Sequence, residues 1–169
     1  INHDSSKKSI EFSHGNKQIS GISISWGSNT AFYIDFESKT VHSKSKISLL
    51  KSTLSNRDLK VKIFDSKEQI KLLNICLQFD LNIIPEDPKV ADWLLDPEGR
   101  EKNLQAMAVK YTPEAIKLTQ LAGGCKGVGS IALEVDTSLT PRLRSAVEAV
   151  STWHIVNSIL DVVAEQDMK

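Results

Sequence analysis

Lys60-Val61-Lys62-Ile63-Phe64-Asp65-Ser66-Lys67-Glu68-Gln69-Ile70-Lys71-Leu72-Leu73 is the stretch that decides the fold class. Its first five residues alternate lysine with apolar side chains, the period-two pattern of a half-buried strand. The pattern changes after Asp65. Ser66 with Gln69 three residues on has the form of a capping box, and Ile70, Leu73 and Leu77 then share one helical face, widened by Leu72 and Cys76. A strand that feeds straight into a helix begins an α/β layer.

Upstream, Ile19 and Gly21-Ile22-Ser23-Ile24-Ser25-Trp26 alternate apolar with small polar residues. Gly27-Ser28-Asn29 supplies a turn, and Thr30-Ala31-Phe32-Tyr33-Ile34-Asp35-Phe36 reads as the second strand of a β-hairpin. Residues 1–18 read as an arm or edge strand, and residues 37–58 as a surface loop holding one helical turn around Ile47, Leu50 and Leu54. Downstream, Asp87-Pro88 and Thr112-Pro113 each place a capping residue before a proline suited to the first helical position, predicting helices over 88–95 and 114–121. Leu104, Met107, Ala108 and Tyr111 suggest another helix between them. Thr140-Pro141 opens the longest, to about Gln166, with Val147, Val150, His154, Ile155, Ile159, Val162 and Val163 as its apolar stripe. The first third is β-rich and the rest helical, with no internal repeat and no interdomain linker. One domain over 19–169 is the expectation.

A chain of 169 residues can bury about 68–70% of its unfolded surface, so its core needs no disulfide or metal. Cys76 and Cys125 make no disulfide framework, and a reducing intracellular compartment is the expected default. No apolar run reaches membrane-spanning length, and residues 1–10 lack the apolar core of a signal peptide. Lysine plus arginine equals aspartate plus glutamate, 21 against 21, which argues against a strong free-standing nucleic-acid binder. Neutrality is a cancellation. Residues 1–60 hold nine basic and five acidic side chains, whereas residues 61–169 hold twelve and sixteen.

Four features invite chemistry. The glycine cluster at 123–130 fails as a phosphate loop, because Lys126 is followed by glycine and not by Ser or Thr opening a helix; it reads as a flexible connection. His3, His14, His42 and His154 share no metal-ligand spacing. The carboxylates are more informative: Asp65 closes a strand, Asp87 starts a helix, Asp92 lies within it and Glu148 sits on the long helix. Strand-end and helix-borne carboxylates can hold paired Mg²⁺ ions. Capping alone explains Asp87, and a solvent-facing position explains Asp92. Lys39, Lys44, Lys46, Lys51 and Lys60 could meet a phosphate backbone, against the plainer reading of a solvated loop.

Glu86-Asp87-Pro88-Lys89-Val90-Ala91-Asp92-Trp93-Leu94-Leu95-Asp96-Pro97 resembles, nearly residue for residue, a segment in the exonuclease-like domain of the theta-type, family A DNA polymerases. Gly21-Ile22-Ser23-Ile24-Ser25-Trp26-Gly27, Val61-Lys62-Ile63-Phe64-Asp65 and Arg142-Leu143-Arg144-Ser145-Ala146-Val147-Glu148 support it in the family's order, together covering residues 19–160. The nu-type polymerases are the nearest competing assignment. The resemblance implies a ribonuclease-H-like 3′–5′ exonuclease fold, a mixed β-sheet flanked by helices. Active members carry Asp-x-Glu on a first strand, an aromatic-Asp pair closing a second motif and Tyr-x-x-x-Asp on a late helix, all serving two metal ions.

This chain departs from that pattern. No Asp-x-Glu precedes the Gly21 strand, Val61 stands where asparagine is expected, and Leu143 and Val147 take the Tyr and Asp positions of the late helix. Asp65, Asp87 and Glu148 are the degenerate remnants, too few to clamp an in-line displacement. The resemblance therefore implies a catalytically inactive domain with no cofactor and no small-molecule substrate. It implies a nuclear brace beside the polymerase domain of a parent chain, touching DNA weakly, in double-strand break repair by end joining. Two alternatives stand: an active Mg²⁺- or Mn²⁺-dependent exonuclease with a rearranged site on Asp65, Asp87 and Glu148, and a protein-interaction module without nucleic-acid contact.

Overall fold

Alternation in the first third produces an antiparallel hairpin. In the structure, a computed structural model describing residues 19–27, 29–37, 42–78, 81–99, 103–113, 117 and 140–167, β1 (Gly21–Gly27) pairs with β2 (Thr30–Asp35) in the register Gly21 to Asp35, Ile22 to Ile34, Ser23 to Tyr33 and Ile24 to Phe32. The register shifts between Ile24 and Gly27, where the Ser25 hydroxyl lies 2.8 Å from the Gly27 carbonyl and 2.7 Å from that of Thr30. Glycine is required at 21: a Cβ there would stand 2.4 Å from the Tyr33 ring and 2.6 Å from the Ile34 carbonyl.

Period two gives the hairpin two faces, and each is covered over part of its length. Ile22, Ile24 and Ile34 join a cluster built on buried Leu50 and Leu73. Leu50 comes from α1 (His42–Leu54), a thirteen-residue helix where the sequence suggested a loop with a single turn. The correction has a packing cause: Ile47, Leu50 and Leu54 recur at helical spacing and all reach this cluster, and such burial outweighs the middling helix propensity of the serines around them. On the opposite face Ser23 shares a 2.6 Å hydrogen bond with Ser145, and the Arg142 guanidinium lies 5.8 Å over the Tyr33 ring. Both residues belong to α5 (Pro141–Asp167), which begins where Thr140-Pro141 places it, the Leu143 N–H donating to the Thr140 hydroxyl at 3.3 Å.

The deciding stretch forms β3 (Lys60–Lys62) and α2 (Ser66–Leu77), and the chain returns as β4 (Ile84–Glu86), parallel to β3 with Lys62 opposite Glu86. The sequence reading treats residues 85–88 as a helix start and gives no strand there. Ile84-Pro85-Glu86 pairs because each member of a two-stranded sheet has a free edge, where the N–H that proline lacks costs no ladder bond. The Lys62 ammonium reaches Glu86 at 2.8 Å across the pair. Next come α3 (Pro88–Leu95) and α4 (Leu104–Tyr111), the latter capped by Asn103, which accepts the Ala106 N–H at 2.8 Å. Phe64, Leu104, Met107, Ala108, Ile155 and Ile159 form a second buried cluster between these helices and α5, with Ala91 and Leu95 against it.

The architecture is mixed α/β. Among the described residues its strands form two separate pairs, β1-β2 antiparallel and β3-β4 parallel. The arm at 1–18, most of the helix expected at 114–121, the glycine cluster at 123–130 and Lys39 lie outside the described residues. No helix among those described is long and apolar enough to cross a membrane.

Candidate functional site

The β3–α2 corner and the β4–α3 corner lie side by side, and this brings Asp65 and Asp87 together. Asp65 turns the chain in the left-handed region, φ 53° and ψ 57°, a conformation Asp tolerates better than most residues. The capping box expected from Ser66 and Gln69 does not form: Asp65 occupies the cap position without a side-chain cap bond, and Ser66 is already the first helical residue. Its orphan N–H has another acceptor. The Ser66 N–H donates to Asp87 Oδ2 at 2.6 Å, and the Asp65 N–H to Asp87 Oδ1 at 3.2 Å. Asp87 Oδ1 also accepts the Lys89 N–H at 2.9 Å, the α3 cap expected from the sequence. One carboxylate thus serves the starts of two helices, where the backbone dipoles favour negative charge.

Lys89 completes the group. Its ammonium donates to Asp65 Oδ2 at 2.7 Å, with both side chains largely buried, and lies 5.9 Å from the centre of the Phe64 ring. Both Asp87 oxygens are engaged by backbone N–H groups, and Asp65 is engaged by a cation of the same chain. Phe64 itself is a core side chain.

Glu148 stands on α5 and accepts from the Arg144 guanidinium, Nε, at 3.0 Å. Burial pushes its carboxyl above the usual glutamate value, and Arg144 opposes that shift. Leu143 is exposed and Val147 is packed, so the positions equated with a tyrosine and an aspartate carry apolar side chains in two different environments. A paired-metal site does not fit these residues. Asp87 is committed to capping and Asp65 to Lys89, and no group of three His, Cys, Asp or Glu that could hold a metal ion exists among the described residues.

Asp92 corrects the sequence reading most sharply. Its sequence position suggests a solvent-facing side chain, yet it is only 3% exposed. The Tyr111 hydroxyl and the Lys110 ammonium both donate to its Oδ1, the latter at 2.7 Å, and Lys110 also reaches Asp96 at 3.2 Å. The hydrogen bond to Asp92 raises the Lys110 ammonium above its ordinary value; burial, then Asp92, raise the Tyr111 phenol. This knot ties α3 to α4. Its members lie eighteen and nineteen residues apart, a separation with no sequence signature, and Lys89 escaped notice for the same reason.

Of the lysines proposed for phosphate contact, Lys44 is exposed on α1, Lys46 is half-buried, and Lys51 donates to the Gln78 carbonyl at 3.1 Å. Lys60 is exposed on β3, 4.0 Å from Glu86.

No profile of a known protein family matches the chain. Curated proteins do, among them DNA polymerase theta of Drosophila melanogaster, 32% identical over 146 residues and 82% of this chain, and DNA polymerase theta of Mus musculus, 25% identical over 170 residues and 89% of this chain. The chain spans about 7% of the length of each. Sequence similarity over most of its length identifies the chain as a segment related to DNA polymerase theta.

Proposed function

We propose that this chain is an exonuclease-like domain of ribonuclease-H-like ancestry that has lost hydrolysis and serves as a brace for a polymerase. The observation that carries the reading is the Asp65–Asp87–Lys89 group. A divalent metal would have to displace an ammonium from Asp65 and strip backbone N–H groups from Asp87, leaving two helix starts without their acceptor. The order of hairpin, strand, helix and parallel strand fits the proposed ancestry.

A brace needs a surface for its neighbour. On α3, Ala91, Asp92 and Leu95 face the protein, whereas Val90, Trp93 and Leu94 are exposed together at helical spacing. That face is assigned to the polymerase domain of a parent chain. DNA contact is assigned to Lys39, Lys44, Lys46 and Lys51, weakly, and the setting to the nucleus and to end joining of broken DNA.

The test is digestion of a 3′ single-stranded end by purified protein in Mg²⁺ and in Mn²⁺. No digestion is the expected result. Metal-dependent digestion that disappears in Asp65→Ala overturns the reading in favour of a rearranged active site.

A further inference from the structure

Trp26 and Phe32 lie at the turn end of the hairpin, their ring centroids 4.4 Å apart and their planes 8° from parallel. Both are exposed, Trp26 at 70% and Phe32 at 48%. Phe32 pairs with Ile24, so the two rings continue the hairpin face that Ile22, Ile24 and Ile34 begin and that α1 covers. The rings extend beyond the part of the face that is packed. Burial therefore does not account for them, and an open pair of parallel rings offers another flat π-system a place to stack.

The surroundings select the kind of π-system. Asp35 is the one charged residue in β1 and β2, and it stands at the opposite end of the hairpin, paired with Gly21. The helix over the same face, α1, carries Lys44, Lys46 and Lys51 and no carboxylate. The exposed rings thus continue a hairpin face whose isoleucines pack with residues of that acid-free basic helix, and proteins hold single-stranded nucleic acid by that combination, rings taking bases and cations following the backbone. An apolar protein partner would gain nothing from the lysines. We propose that Trp26 and Phe32 form a base-stacking platform for single-stranded DNA, with Lys44 following the phosphates. This rests on the DNA-contacting part of the function proposed above and is independent of whether the domain hydrolyses DNA.

The experiment is a fluorescence-anisotropy titration of the 169-residue chain against a labelled oligothymidine and against an abasic strand of equal length. The chain is expected to bind oligothymidine at low salt, and to bind the abasic strand at least about tenfold more weakly, since stacking contributes roughly five- to a hundredfold per base. Trp26→Ala/Phe32→Ala is expected to bring oligothymidine down to the abasic level while circular dichroism and melting stay unchanged; Trp26→Tyr/Phe32→Tyr is expected to retain binding. Equal affinity for the two strands, or a double variant that binds like the parent, overturns the platform. So does loss of association with a polymerase domain in place of DNA. Strand length read from the same samples reports hydrolysis separately, so failure of the inactive-domain reading is distinguishable from failure of this one.

Discussion

Asp87 Oδ2 accepts the backbone N–H of Ser66 at 2.6 Å although the two residues are twenty-one positions apart. The same side chain caps the helix that follows it in sequence, through the Lys89 N–H. Truncation should therefore orphan three donors at once. A single lost cap costs about 1 kcal/mol, and a half-buried unmet donor about 1–3 kcal/mol. Asp87→Ala is expected to lower stability by about 2–4 kcal/mol, and Asp87→Asn, which keeps one acceptor oxygen, by about half of that. Urea unfolding followed by circular dichroism measures both.

Asp65 combines a left-handed backbone with an ion pair, and two substitutions separate them. Asp65→Gly loses the contact to Lys89 but adopts the backbone freely, whereas Asp65→Ala loses the contact and keeps a Cβ in that region. The left-handed conformation costs a Cβ-bearing residue about 1–2 kcal/mol. The alanine variant is expected to be the less stable by about that amount, and equal unfolding midpoints would refute the assignment.

The buried Asp92 should respond asymmetrically to its partners. Tyr111→Phe removes one donor and leaves Lys110 in place, for a loss of about 1–2 kcal/mol. Asp92→Ala leaves the tyrosine hydroxyl without its acceptor and opens a cavity, for about 2–4 kcal/mol. Because the folded values of Tyr111 and Lys110 are raised, the folded state binds protons more tightly than the unfolded one. The stability they contribute is complete below their unfolded values, near 10, and is lost as pH rises through the folded ones. Asp92→Asn should flatten that alkaline decline in thermal melts taken from pH 8 to 11.

Glu148 behaves in the same sense at acid pH. Its folded value is raised by burial, so its contribution is complete below the usual glutamate value and declines as pH rises through the folded value. Glu148→Gln keeps an acceptor for Arg144 and is expected to remove that decline. The measurement is the slope of unfolding free energy between pH 4 and 7, parent against variant.

Gly21 and Gly27 provide an internal comparison. An added methyl at 21 meets the Tyr33 ring and the Ile34 carbonyl, and a carbonyl held in a ladder cannot move aside; at 27 it meets nothing within 4 Å. Gly21→Ala is expected to cost about 1–3 kcal/mol by overpacking, and Gly27→Ala under about 1 kcal/mol.

Local signals in the sequence carried most of the frame. Alternation found the hairpin, cap-then-proline pairs found the starts of α3 and α5, and the stripe through Val147, Val150, Ile155 and Ile159 is buried in α5 as expected. The failures share one cause. Ser66 was read as a cap because Gln69 stands three residues on, but its donor is met by a residue from another corner of the fold. Asp92 was placed outside because charged side chains usually are, and its burial depends on Tyr111 and Lys110 arriving from the next helix. The sequence shows only one turn of α1 around Ile47, Leu50 and Leu54, because the serines and lysines between them dilute a stripe whose meaning depends on the hairpin beneath it. Period and propensity are local; satisfaction of a buried polar group is not.

The bond between Ser23 and Ser145 spans 122 positions of the chain. Because α5 lies against the hairpin at one end and closes the Phe64–Met107 cluster farther along, neither half of the molecule is complete until residues 141–167 have been synthesised. Long loops must close before such contacts repay them, which slows folding. On the ribosome the hairpin would emerge early and wait with one side bare, so its passage to the native state is set by the arrival of the last helix.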